Sequence, residues 1–312
     1  MTQGLKSERY IRKPEWLRRG IPDDPAFARM GTLLGEERLH TVCQEARCPN
    51  AGECFSRGTA TFLILGEVCT RRCRFCAVTQ GTPASPDPDE PRRLADAAAR
   101  LTLDYVVVTS VTRDDLADGG AGAFAATIVA VRKRLPKARI EVLIPDFMGD
   151  EDALGTVIAA RPDVINHNLE TVACLYPEVR PQADYGRSLE LLARVSRADP
   201  GIGVKSGMML GLGEEPDEVE TALADLLRAG CRILTLGQYI QPRKTALPVV
   251  RYLPPGDFEA WREKALAMGF DRVASGPFVR SSYHAEACFA GSPRELPQGR
   301  AGSPAGSARP VP

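Results

Sequence analysis

Short β-rich runs alternate along this chain with segments of helical spacing, and that alternation restricts the architecture more than any other feature. The runs are "TFLIL" (61–65), "YVVVTS" (105–110), "RIEVLI" (139–144), "DVINHN" (163–168), "GVKSGMML" (203–210) and "RILTLG" (232–237). Neighbouring parallel strands need a long crossover, usually a helix with a right-handed path. Phe124, Ile128, Val131 and Leu135 recur at steps of four, three and four, the mark of one buried helix face. Val219, Leu223, Leu226 and Leu227 do the same after "GEEPDE", where proline and acidic residues suit a helix start. A closed TIM barrel takes eight such units. Six predict an α/β fold built as a partial (β/α)6 barrel, with a doubly wound sheet as the alternative. In both, chemistry gathers at the C-terminal ends of the strands.

The 312 residues suit one such barrel. Residues 1–58 lack clear periodicity and read as an N-terminal extension, 59–290 as the barrel, and 291–312 as a disordered tail rich in Gly, Pro, Ser and Ala. Forty basic and forty acidic side chains cancel, so no global field draws the chain to nucleic acid or anionic membrane. No apolar run is long enough to span a bilayer, and no apolar segment follows the basic start as in a signal peptide. A cytoplasmic protein is expected.

Of nine cysteines, six fall between positions 43 and 76, in two triplets. In a reducing compartment such spacing points to metal rather than disulfides. Cys69, Cys73 and Cys76 form C-x3-C-x2-C just after the first strand; Cys43, Cys48 and Cys54 form C-x4-C-x5-C ahead of it, where a cap over the strand ends would lie. Each triplet is one ligand short of the usual four. Three thiolates on one loop can hold three irons of a 4Fe–4S cube and leave the fourth iron for another ligand. Small buried hydrophobes or a zinc knuckle are the bland readings of the second triplet. Arg71, Arg72 and Arg74 between its cysteines and a total of three histidines argue against them. For the first triplet, a zinc site completed by His40 stays open. Cys174, Cys231 and Cys288 match no ligand spacing and read as structural. Asp114 with Asp115, and Glu214 with Glu215, read as solvated turns, and Met208 and Met209 as core. Gly119 and Gly120 allow either backbone approach to a ligand or a helix start. Arg243, Lys244 and Arg251 could meet an acidic partner or simply be solvated.

"CTRRCRFC" (69–76), with Phe75 in the aromatic position, resembles the motif of radical S-adenosylmethionine enzymes. Both triplets together with "RSSY" (280–283) resemble the lipoyl synthase family, over about residues 5–290. The resemblance implies the partial (β/α)6 barrel a second time. It implies two 4Fe–4S clusters: one on Cys69, Cys73 and Cys76 that binds S-adenosylmethionine, and an auxiliary one on Cys43, Cys48 and Cys54 completed by the oxygen of Ser282, with Ser281 as the alternative. It places Phe75, Ser110, Gly119, Gly120, Asn168, Glu170, Arg187 and Lys205 on the S-adenosylmethionine side. The implied reaction inserts two sulfurs, drawn from the auxiliary cluster, at C6 and C8 of an octanoyl chain amide-linked to a lysine of a lipoyl carrier domain. Implied carriers are the acyltransferase subunit of 2-oxoacid dehydrogenases and the glycine-cleavage carrier protein. An electron donor such as ferredoxin or flavodoxin and an iron–sulfur carrier would serve it, without nucleic acid or membrane. Unpolarised C–H bonds demand hydrogen-atom removal, and acid–base machinery is sparse in the sequence. Another radical sulfur inserter, of the biotin synthase or methylthiotransferase kind, and a non-enzymatic zinc-stapled interaction protein are the alternatives.

Overall fold

The computed structural model describes residues 11–18, 25–45, 48, 50, 53, 54, 61–283, 285 and 286. His284, Cys288 and the tail 291–312 lie outside them. The six expected strands are present as β2 (Thr61–Ile64), β5 (Tyr105–Ser110), β6 (Arg139–Leu143), β7 (Val164–Asn166), β8 (Gly203–Leu210) and β9 (Ile233–Gln238). A further parallel strand, β10 (Arg272–Gly276), pairs with β9, and β1 (His40–Thr41) pairs antiparallel with β2. The sheet order is β1-β2-β5-β6-β7-β8-β9-β10, without a reversal. A doubly wound sheet reverses at a switch point, so that alternative is excluded.

Side chains of β2 and β9 are buried along their whole length, as expected of parallel strands covered on both faces. Phe124, Ile128 and Val131 are fully buried on the helix Ala121–Arg134, while Leu135 caps its end. The helix Pro216–Arg228 starts with a capping box between Glu215 and Glu218 and buries Val219, Leu223 and Leu226. β10 was invisible in the pattern because "RVASG" carries small residues where a strand signal needs bulk.

The extension is more regular than its sequence suggests. Pro25–Glu36 is a helix that buries Leu33 and Leu34, and Val42–Glu45 forms one further turn. β1 matters most, because its antiparallel course (His40↔Leu63, Thr41↔Phe62) carries the chain back toward the start of β2.

One face of the strands is polar. Tyr105 donates its hydroxyl proton to Glu141 at 2.7 Å, and Lys205 pairs with the same carboxylate at 2.7 and 3.0 Å. Asn166 completes the group at 3.3 Å. Glu141 and Lys205 are each 1% exposed, so neither charge is tolerable without the other.

Candidate active site

Beyond β2 the chain turns through Leu65 and Gly66, at φ 68° and 87°, into a two-stranded clasp, β3 (Val68–Cys69) against β4 (Thr79–Gln80). The clasp closes the loop that carries Cys69, Cys73 and Cys76. Backbone bonds from Thr70 to Thr112 O, Arg74 to Val179 O and Leu247 to Arg74 O pin this loop across loops that follow three other strands. The triplet therefore sits at the C-terminal ends of the strands.

The donor set fits an iron–sulfur cube. Cys69 Sγ accepts from the N–H groups of Arg71 (3.4 Å) and Thr112 (3.3 Å), and Cys76 Sγ from that of Val78 (3.4 Å). Such N–H···S contacts surround cluster thiolates. Burial pushes the Cys76 thiol up to about 12 and raises Cys73 against the pull of Arg180. Free thiolates are thus disfavoured here, and a bound cation would have to draw the protons off.

Arg71 anchors this loop. It is 4% exposed, grips Asp114 through two nitrogens (2.7 and 2.8 Å) and reaches Asp146 at 2.5 Å. Burial alone would raise Asp146; the hydrogen bond and charge of Arg71 overcome it and hold the carboxyl at about 2. Arg187 donates to the other Asp146 oxygen at 3.2 Å. One carboxylate thus orients two arginines, a role the sequence reading missed because Asp146 belongs to no motif. Asp114 and Asp115 stand exposed in a turn, as the sequence suggests, but they are not idle: Asp114 binds Arg71, and Asp115 holds Arg113, which is 2% exposed. The solvated-turn reading of Glu214 is corrected: it is buried, accepting from the N–H groups of Gly211 (2.6 Å) and Leu212 (2.9 Å), and Glu215 is the helix cap.

The other expected cofactor-side residues are divided. Ser110 ends β5 with its Oγ buried and unpartnered, and Asn168 Oδ1 is in the same condition. Unsatisfied buried groups at a strand end fit a polar ligand. Glu170 stands at φ 68°; burial raises its carboxyl although Arg180 counteracts it. Arg180, 8% exposed, donates to the carbonyls of Asn168 (2.9 Å) and Leu169 (3.3 Å) and leaves Nε unpartnered; no sequence motif marked it. Gly119 and Gly120, at φ 59° and 92°, precede the helix Ala121–Arg134, and a Cβ on Gly120 would lie 2.4 Å from Leu65 Cδ1. The left-handed backbone at Gly120 explains that glycine, and Asp118 caps the turn by accepting from Gly120 N and Gly122 N. Phe75 packs on Val179, Leu212, Tyr239, Leu247 and Val249. Lys205 departs from expectation: it is the third residue of β8, far from that strand's C-terminal end, and its ammonium is committed to Glu141.

The first triplet is not a cap over the strand ends. Because β1 runs antiparallel, Cys43 lands beside Thr61, the first residue of β2, at the opposite end of the strand from the second triplet. Cys43, Cys48 and Cys54 line one cavity with Thr61, Ser282 and Tyr283. Burial pushes the Cys43 thiol up to about 11. Ser282 reaches this cavity because the segment after β10 crosses the polar face. Val279 O lies against Gly237, and Ser281 Oγ accepts from Asn168 Nδ2 at 2.6 Å. With Ser281 held there, Ser282 is the serine that faces the three cysteines. His40, the other candidate ligand, faces Glu45 (3.4 Å) and Glu67 (3.9 Å) instead. Cys231 is buried as expected of a structural thiol, but Cys174 is exposed and donates to Glu218 at 2.9 Å.

A partial barrel with three cysteines on the loop after its first parallel strand defines a class. Residues 63–226 match the Radical SAM superfamily. The fold is similar to that of Streptococcus suis SuiB bound to S-adenosylmethionine, with a TM-score of 0.53 and 10% identity, covering 70% of this chain and 51% of that one. The lipoyl synthase of Trichlorobacter lovleyi is 58% identical over 275 residues, 88% of this chain and 97% of the relative. That of Methylococcus capsulatus is 57% identical over 277 residues, covering 88% and 86%. The chain belongs to the lipoyl synthase family of radical S-adenosylmethionine enzymes.

Proposed function

We propose that this protein inserts two sulfur atoms at C6 and C8 of an octanoyl chain amide-linked to a lysine of a lipoyl carrier domain. When bound, a reduced 4Fe–4S cluster on Cys69, Cys73 and Cys76 supplies the electron that cleaves S-adenosylmethionine and so generates the hydrogen-atom acceptor. The auxiliary cluster, on Cys43, Cys48, Cys54 and Ser282, is the sulfur substrate. A serine oxygen is a harder donor than thiolate and holds iron less well, which suits a cluster that must be dismantled. Ser110, Asn168, Glu170 and Arg187 would bind the methionine part of the cofactor. Arg71 and Asp146 keep the cysteine loop and Arg187 in register, and Arg180 supplies positive charge beside Cys73. Enclosure protects reactive carbon from water.

The observation that carries this reading is the placement of two cysteine triplets at opposite ends of β2, with Ser282 facing the first. In the same reading, residues 1–58 form the auxiliary-site extension and 59–290 the barrel. A carrier domain, a ferredoxin or flavodoxin and an iron–sulfur carrier are its cytoplasmic partners; among the described residues no helix is long and apolar enough to cross a membrane.

The test is incubation of the anaerobically reconstituted protein with S-adenosylmethionine, a reductant and an octanoyl-lysine peptide. The expected product is heavier by two sulfurs, less the displaced hydrogens, and forms with 5′-deoxyadenosine. Cys73→Ala should abolish cofactor cleavage, whereas Cys48→Ala should retain cleavage and lose sulfur transfer. Loss of the same step in both variants would refute the division between the sites.

A further inference from the structure

One residue of the first cysteine cavity bonds directly to the serine proposed as its fourth ligand. Thr61 opens β2, is 6% exposed, and pairs in register with Val107 of β5. Its hydroxyl donates to Ser282 Oγ at 2.7 Å, across 221 positions of sequence. Thr61 lines the same cavity as Cys43, Cys48 and Cys54. Further fastenings of the C-terminal segment run from Asn168 to Ser281, from Asn50 to Phe278 O at 2.7 Å, and from Tyr283 to Glu53.

We propose that Thr61 is a positioning residue of the auxiliary site, holding the Ser282 oxygen in the rotamer that faces the three cysteines. The inference rests on the two-cluster reading above. A serine side chain has three staggered wells, and a donor fixed on a strand start selects one of them. When that oxygen binds iron it carries negative charge, and a hydroxyl donating to it forms a charge-assisted bond. Thr61 therefore sets how firmly the serine-bound iron is held, and with it the readiness of the cluster to come apart.

The experiment uses the full-length protein loaded anaerobically with iron-57 and sulfide. It compares wild type, Ser282→Ala, Thr61→Val and Thr61→Ser by Mössbauer spectroscopy and by the rate of first iron release to a ferrous chelator. Valine keeps the branched shape and the strand preference of threonine and loses only the hydroxyl. Thr61→Val should release the first iron about tenfold faster, equivalent to about 1.4 kcal/mol. The non-thiolate iron signal should move toward that of Ser282→Ala, and Thr61→Ser should restore both readouts. Wild-type behaviour of Thr61→Val in both readouts overturns the proposal. If Ser282→Ala itself matches wild type, the oxygen ligand is wrong and the underlying reading fails instead. If Thr61→Val cannot load the second cluster, Thr61→Ala decides with Thr61→Ser: loss in Val and Ala with retention in Ser supports the hydroxyl, and loss in Ser overturns it.

Discussion

The Tyr283 hydroxyl donates to both carboxylate oxygens of Glu53, at 2.8 and 3.0 Å, joining the C-terminal segment to the first cysteine loop across 230 positions. Tyr283 is 7% exposed, so this bond is shielded from competing water. Tyr283→Phe keeps the ring and removes the donor, at a cost of about 1.5–3 kcal/mol for a hydrogen bond to a charged group. The variant should retain less iron in the proposed auxiliary site, measured as iron per chain beside Cys43→Ala, with the other cluster's signal unchanged.

Arg71 and Asp146 form a buried pair whose partners cannot be separated cheaply. Arg71→Leu leaves Asp146 charged and enclosed, with Arg187 as a more distant partner at 3.2 Å. A loss of about 3–5 kcal/mol in denaturant unfolding is expected. Arg71→Lys should recover only part of it, since an ammonium cannot reproduce the two-nitrogen grip on Asp114.

Gly237 faces the segment that delivers Ser282. A Cβ there would lie 2.1 Å from Val279 O and 3.1 Å from Val279 C, both backbone atoms that cannot swing aside. Gly237→Ala should displace residues 278–283 and empty the proposed auxiliary site while the 69–76 site still loads, as read by iron content and by the reduced cluster's paramagnetic resonance signal. Gly256→Ala, with nothing within 4 Å of the new atom, is the harmless comparison.

Acid stability should carry a histidine limb. His167 Nδ1 donates to Ile144 O at 2.8 Å, leaving a bare Nε2 facing Ser188 Oγ at 3.1 Å. Burial, then the charge of Arg180, lower its pKa from 6.5 to about 4. The unfolded chain takes up the proton first, so this stability is complete above the unfolded value of about 6.5 and is lost as pH falls toward 4. The limb is on the order of 3 kcal/mol. His167→Gln should flatten it in denaturant midpoints measured between pH 8 and 4, even though the variant is less stable at pH 8.

Cys174 is exposed yet should react slowly. Partial burial, then the Glu218 carboxylate that accepts its S–H, raise the thiol to about 11. Alkylation at pH 8 tracks the thiolate, which is scarce there. Glu218→Gln should speed modification of this cysteine by about tenfold or more, read by mass spectrometry of the modified peptide.

The strands and helices of the barrel were legible because burial writes itself into residue spacing. β10 was not, since Val273, Ala274 and Ser275 are held by the helix Pro255–Met268 and by β9 rather than by their own bulk. The resemblance alone puts Lys205 on the cofactor side, and a resemblance of residues carries no information on height along a strand. Asp146 was passed over for the opposite reason, standing in no motif while binding Arg71 and Arg187.

The sequence alone determined the 69–76 cysteine loop, because three cysteines within eight positions are brought together by local chain geometry wherever the loop is placed. It also determined the parallel sheet, since every strand had to be followed by a helix with one apolar face. Only the tertiary structure decided that Cys43 meets Thr61 at the start of β2, through an antiparallel strand two residues long. Only it decided that Ser282 lines that cavity while Ser281 is turned to Asn168. The Ser282 hydroxyl meets Thr61 across 221 positions, and even Cys43 and Thr61 are brought together by strand pairing rather than by local spacing. No local periodicity encodes these contacts, and they appear only when strand direction, register and the closing segment are settled together.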